Sequence, residues 1–379
     1  MPASVMQEQV GAQAGLPLPS IGVRGFRAFR ELQIEEFGRV NLFVGLNNAG
    51  KTSLLEAIHL YAGGANPQRI RELLVAREEI ASSDDARVDL KALDAALGRL
   101  FHTEGDTRST KVTVGPLRDE DGAVTVQRGW ATIPEAGDSA STRFSPSDIA
   151  DLSADQEPAL ELRRGSSSVR VIADRFLLGW VMARMSPAPL YTALLIPAGG
   201  LSTGAVASYW DRVALTDEED LVTAALRIIA PGVERISVIG DTDQPHERRV
   251  MVRVRGQATP VPLRTMGDGM NRLLGIALAL ATARDGIALV DEIENGIHYS
   301  VQPDVWRAIL RAAESLNVQV FATTHSWDCI RAFAAATSDS GTGDEMLYRL
   351  DRRIEGNVRA VRYTAKEVTI AAEQQIEVR

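Results

Sequence analysis

Two kinds of apolar patterning run along the chain. Ile21 to Phe29 and Leu32 to Phe37 read as two strands joined by a short turn that lead into the strand at Val40, whereas Lys111 to Val114, Ala123 to Trp130 and Ser168 to Ile172 alternate apolar with polar side chains, the period of strands with one face in water. They predict an antiparallel sheet. Val40 to Val44, Tyr191 to Pro197, Ile287 to Asp291 and Val318 to Thr323 are instead mostly apolar without alternation, as strands buried on both faces are. Between and around them lie helical stripes: from the end of the Val40 strand to Tyr61, then Pro67 to Arg77, Val88 to Phe101, Thr216 to Ala230, Asp268 to Arg284, Pro303 to Leu316 and Trp327 to Ala336. Val233 to Gly240 and Arg248 to Arg255 read as a strand pair, and Met346 to Leu350 and Val358 to Tyr363 as two last strands. Strands alternating with helices imply an α/β fold whose mixed or parallel core sheet is covered by helices, with an antiparallel β-subdomain. The expected organisation is a flexible tail over 1–20, a first lobe over 21–200 with a loop insertion at about 137–167, and a second lobe over 201–379.

The densest chemistry falls where the Val40 strand turns into a helix. Gly45-Leu46-Asn47-Asn48-Ala49-Gly50-Lys51-Thr52 fits GxxxxGK[ST] at every specified position. A helix N-terminus offers unpaired N–H groups and partial positive charge, which is what a polyphosphate needs. Gly45 and Gly50 let the backbone wrap where a Cβ would clash, Lys51 is a mobile point charge, and the Thr52 hydroxyl suits Mg²⁺. Asn47, Asn48, Ala49 and Ser53 complete the expected nucleotide cradle. The run Ile287 to Val290 ends in Asp291-Glu292, and a parallel sheet would set it beside the Val40 strand with both acids at the ligand-binding edge. Asp291 is suited to hold Mg²⁺ and Glu292 to polarise a water as general base. Acids that merely cap the next helix are the plainer reading of those two residues alone. His325, after the Val318 strand, can hydrogen-bond a terminal phosphate or the attacking water. Gly267-Asp268-Gly269 opens an apolar helix and forms a second anion-binding nest; lacking a third glycine and a buried strand before it, it is no dinucleotide fingerprint.

Composition narrows the field. Of the 379 residues 45% are apolar and 24% charged, ordinary for a globular protein with a real core. A net charge of -9 argues against a uniformly basic nucleic-acid binder, leaving Arg24, Arg27 and Arg30, and Arg248, Arg249, Arg253 and Arg255, as local clusters that could meet DNA. Arg27 has a second reading as a phosphate or adenine neighbour. One cysteine, Cys329, excludes an internal disulfide, and five scattered histidines offer no metal spacing. The first twenty residues lack the apolar core of a signal peptide, and the longest apolar run is too short to span a bilayer, so a cytoplasmic location is expected.

The segments FGRVNLFVGLNNAGKTSLLEAI, MGDGMNRLLGIALALA, IALVDEIENGIHYS and VQVFATTHSWDCIRAF, in that order, resemble the ATPase domain of the OLD (overcoming lysogenisation defect) family, a branch of the ABC-type ATPases related to SMC and RecF proteins. The resemblance implies a bilobed ATP hydrolase that uses Mg²⁺, with Walker A at Gly45 to Thr52, Walker B ending at Asp291-Glu292, a D-loop at Asn295-Gly296, a switch histidine at His325 and a signature loop at Gly267 to Gly269. It also implies a homodimer in which the signature loop of one copy covers the triphosphate bound by the other. No Q-loop glutamine can be placed before Gly200. Longer family members add a TOPRIM nuclease, for which Thr364 to Arg379, read as one polar helix, leaves no room; a separate effector such as a TOPRIM-type nuclease, in bacterial anti-phage defence, is what the resemblance implies. An ATP-gated scaffold with negligible hydrolysis is the alternative.

Overall fold

The computed structural model describes residues 15–80, 90–104, 107–132, 143–146, 156–172, 187–240, 248–340, 343–353, 357–364, 367–368 and 370–371. The chain opens with a hairpin, β1 (Ile21–Phe26) and β2 (Phe29–Ile34), and passes through β3 (Val40–Val44) into α1 (Lys51–Gly63). Helices α2 (Gln68–Ala76) and α3 (Leu90–Gly98) follow, then the short pair β4 (Thr103–Glu104) and β5 (Thr107–Arg108). Strands β6 (Lys111–Gly115), β7 (Val124–Thr132), β8 (Arg143–Ser145), β9 (Gln156–Arg164) and β10 (Ser167–Ile172) complete the first half. The second half runs β11 (Ala193–Ile196), α4 (Thr203–Val213), α5 (Glu218–Leu226), β12 (Val233–Gly240), β13 (Arg248–Val254), β14 (Val261–Pro262), α6 (Asp268–Thr282), β15 (Ile287–Val290), α7 (Gln302–Ser315), β16 (Gln319–Thr323), α8 (Trp327–Ser340), β17 (Glu345–Arg352) and β18 (Val358–Thr364).

The central sheet has the order β11-β15-β16-β3-β17-β18, parallel except for the last pair. Every residue of β3, β15 and β16 is buried, which explains why they are apolar but for Asn41, Gln319 and Thr323. Strand β16 lies between β15 and β3, so the expectation that the Asp291 strand adjoins the Val40 strand is corrected. The cause is long-range: both neighbours of β16 are equally apolar, and nothing local ranks them.

Helix α1 is buried over nearly its whole circumference because sheets cover it on two sides. On one side is the central sheet; on the other the antiparallel sheet β10-β9-β7-β6-β1-β2, with β8 on β7. Leu54, Leu55 and Ile58 of α1 share one apolar cluster with Val23, Val114, Val126 and Leu162 of that sheet and with Ile287, Leu289 and Phe321 of the central one. The opposite face of the central sheet carries a second cluster, built by α4 to α8 and the small sheet β12-β13-β14.

Two sequence expectations fail locally. Residues 15–20 are not a free tail: Leu18 is fully buried, its N–H and C=O both paired with the Gln319 side-chain amide, and Pro19 accepts from the Phe37 N–H. The expected loop insertion at 137–167 contains β8 and β9. Nine consecutive β9 residues pair with β7, and Ala159, Leu160 and Leu162 are buried, which outweighs a composition rich in Ser, Asp and Pro. Residues 137–142 and 147–155, the first fourteen of the tail and most of the C-terminal helix lie outside the described residues. Helix α4 was not expected; Ser202 caps it by accepting from the Ala205 N–H.

Candidate functional site

Strand β3 delivers the P-loop at the C-terminal edge of the central sheet. Gly45 and Gly50 have φ of 145° and 98°, and a Cβ would lie 2.6 Å from the Leu350 carbonyl at the first and 2.9 Å from the Phe29 ring at the second. Both positions therefore demand glycine. Leu46, Asn47 and Asn48 are exposed on the loop, and Asn48 is itself left-handed at φ 63°. Ala49 and Ser53 are buried beneath it. Lys51 Nζ donates to the Gly45 and Leu46 carbonyls at 2.8 and 3.1 Å. Burial pulls this amine below the ordinary lysine range, against the pull of Glu292, Asp291 and Glu294.

The loop is joined to the end of β15 by a chain of short hydrogen bonds. Thr52 Oγ1 donates to Asp291 Oδ2 at 2.8 Å, and Thr323 Oγ1, from β16, donates to Asp291 Oδ1 at 2.6 Å. The same Thr323 oxygen accepts from the Glu292 N–H at 2.8 Å. Glu292 sits at φ 50°, in the left-handed region that a non-glycine residue rarely occupies. Its Oε2 accepts from Asn295 Nδ2 at 3.0 Å, and its Oε1 lies 3.4 Å from His325 Nδ1. Glu294 approaches the same ring nitrogen, its Oε1 3.7 Å from Nδ1 and accepting from Thr324 Oγ1 at 2.7 Å. Its Oε2 is buried without a partner among the described residues.

Lys51, Thr52, Asp291, Glu292 and His325 thus converge from three strands on one edge, where sequence had them far apart. Gly267, Asp268 and Gly269 do not join them: among the described residues no hydrogen bond links them to Gly45–Thr52. Asp268 lines a cavity of about 1260 Å³ together with Arg264, Asn271, Asn295 and Gly296. A Cβ on Gly269 would lie 2.5 Å from the Gly296 carbonyl, so the Gly267–Gly269 loop packs on the Asn295-Gly296 turn of its own chain. Sequence reasoning missed Thr323, Glu294 and Arg272. Glu294 had a faint signal, an acid two residues beyond Glu292; Arg272 had none.

The site suits a magnesium-bound nucleoside triphosphate. Glycines at positive φ shape the loop, the Lys51 ammonium donates to the neutral carbonyls of Gly45 and Leu46, and a hydroxyl and a carboxylate 2.8 Å apart form a hard-oxygen donor pair. Among the described residues no cluster of three or more His, Cys, Asp and Glu side chains offers a protein-only metal site. The arginine clusters are partly neutralised. Arg24 and Arg30 pair with Glu31 and Glu104, Arg248 with Asp211, and Arg253 and Arg255 with Glu234. Arg27 is buried between Glu56 and Glu79, which corrects its reading as a phosphate neighbour.

Comparison with known proteins agrees with this geometry. A family described as "AAA domain" matches residues 20–157, and one described as "AAA domain, putative AbiEii toxin, Type IV TA system" matches residues 195–328. An ATP/GTP phosphatase of Helicobacter pylori is 22% identical over 332 residues, 83% of this chain and 86% of that protein. The DNA replication and repair protein RecF of Heliobacterium modesticaldum is 34% identical over 84 residues, 22% of this chain and 21% of its own. Among solved structures, the Smc head domain of Pyrococcus furiosus with an extended coiled coil, bound to the C-terminal domain of ScpA, superimposes with a TM-score of 0.50 at 13% identity, covering 95% of this chain and 99% of that one. The fold is that of the SMC-head ABC-type ATPases. Residues 20–157 and 195–328 are thus similar to AAA domains, and about a fifth of the chain is similar to RecF.

Proposed function

We propose that this chain hydrolyses ATP with Mg²⁺ in sites shared between two copies, as an OLD-like ATPase whose nucleotide state is read by a separate effector, plausibly a nuclease, or by DNA, in anti-phage defence. The observation that carries the reading is the Thr52–Asp291–Thr323 chain, which ties the phosphate loop to the acid pair. Gly45 to Ser53 would hold the phosphates, with Thr52 and Asp291 on the metal side. A Mg²⁺ held there would supply positive charge against the phosphate oxygens. Glu292 takes the proton of the attacking water, Asn295 keeps its carboxylate in place, and His325 orients toward the terminal phosphate. The separation of Gly267–Gly269 from the chain's own P-loop supports a second copy supplying that loop, and the division into lobes over 21–200 and 201–379 follows the two apolar clusters only in outline.

Steady-state turnover against protein concentration tests it. Lys51→Ala should lose ATP binding, and Glu292→Gln should bind ATP but turn over about 100-fold or more slowly. Shared sites require turnover that rises with the square of concentration when the protein is dilute. Negligible turnover in the unsubstituted protein at every concentration would instead favour an ATP-gated scaffold.

A further inference from the structure

Arg272 lies one turn inside α6 and is 4% exposed. Its Nη1 donates to the Pro197 carbonyl at 2.8 Å, and its Nη2 donates to the carbonyls of Asp291 and, at 2.8 Å, Glu292. Nε is buried with no hydrogen-bond partner among the described residues. Among the described residues the guanidinium donates only to main-chain oxygens and no carboxylate lies within ion-pairing distance, although Asp291, Glu294 and Glu292 act on it through space. Such an arrangement is expensive as a source of stability, because the desolvation of a charge is repaid most fully by an opposite charge.

What it fixes is the direction of two successive peptide units. One belongs to Asp291, whose side chain meets Thr52 and Thr323; the other belongs to Glu292, held at a left-handed φ that relaxes unless its surroundings oppose it. Arg272 also sits on the helix that begins at the signature loop, and that loop packs on Gly296, beside the Asn295 that grips Glu292. The start of α6 therefore touches Glu292 by two routes, one through its main chain and one through its side chain.

We propose that Arg272 is a positioning residue that sets Glu292 for hydrolysis and makes that setting depend on where the signature end of α6 and the Pro197 turn lie. The inference rests on the reading of Glu292 as general base. Placing a reacting group 1 Å away from its working position costs about 100-fold in rate. Arg272→Met in the full chain should accordingly lower kcat by about that factor, with the ATP dissociation constant within about threefold of the parent. Because Arg272 acts through Glu292, the double variant Arg272→Met/Glu292→Gln should be no slower than Glu292→Gln. A product of the two single losses, or a raised KM at unchanged kcat, overturns the proposal.

Amide hydrogen exchange over Asp291–Asn295 in Arg272→Lys gives a readout independent of turnover and of whether the methionine variant folds. Faster exchange there, with α1 unchanged, is expected; unchanged exchange overturns the positioning role. If Glu292→Gln alone leaves turnover intact, the general-base reading falls, while exchange still decides whether Arg272 holds this turn.

Discussion

Glycine at 45 is bounded by a backbone atom. A Cβ there would lie 2.6 Å from the Leu350 carbonyl of the neighbouring strand, and φ is 145°. Backbone strain of about 1–3 kcal/mol corresponds to roughly ten- to hundredfold in an equilibrium. Gly45→Ala should weaken ATP binding by about that range, measured by titration with a fluorescent ATP analogue, while Lys51 and Thr52 remain. At this scale the phosphate loop was legible, since eight adjacent residues carry it. Arg272 was not: its partners are carbonyl oxygens, which every residue owns and no letter records. Thr323 was read only as part of an apolar strand's end, because its partner Asp291 is 32 residues away.

Helix α1 meets the β1–β2 turn through an ionic knot as well as apolar packing. Glu56 on α1 accepts two hydrogen bonds from Arg77 at 2.6 and 3.0 Å and pairs with Arg27 at 2.8 Å, and Arg27 in turn meets Glu79. Arg27 and Glu56 are almost wholly buried, with side chains 5% and 3% exposed. Removing one member leaves charges stranded, at a cost of about 3–5 kcal/mol. Glu56→Ala should lower stability in urea unfolding by about that much, and Glu56→Gln by less, because the amide oxygen still accepts. Most elements here were legible from periodicity, their ends within a few residues. Strand β9 was hidden by Pro158 and by Glu161, which is buried yet held by Arg163 and Arg170. Which strands are neighbours was not legible, because β3, β15 and β16 are equally apolar and order among equals is decided by the crossovers between them.

Across the whole molecule, two apolar clusters grip opposite faces of one sheet, and α1 fills the space between that sheet and the antiparallel one. His59 is buried in that layer, its Nε2 3.0 Å from Glu72. Burial pushes its imidazole below the ordinary value of 6.5. The folded protein therefore resists a proton that the unfolded chain accepts. This contribution to stability is complete above pH 6.5 and is lost as pH falls through the depressed folded value. The melting temperature should drop as pH falls below about 6.5, and His59→Gln should flatten that slope. A slope unchanged in the variant would place the acid sensitivity elsewhere. Among the described residues no helix is long and apolar enough to cross a membrane.

Strand β16 separates the phosphate loop's strand from that of the acid pair, and it ends in Thr323, Thr324 and His325. Through Thr323 it holds Asp291 and the Glu292 amide, through Thr324 it holds Glu294, and the Thr324 N–H reaches back to the Phe43 carbonyl. A tug on the imidazole is thus shared at once by the strands on its left and right, so the middle ribbon works as a crossbar. Whatever pulls on it registers on both sides of the nucleotide site together.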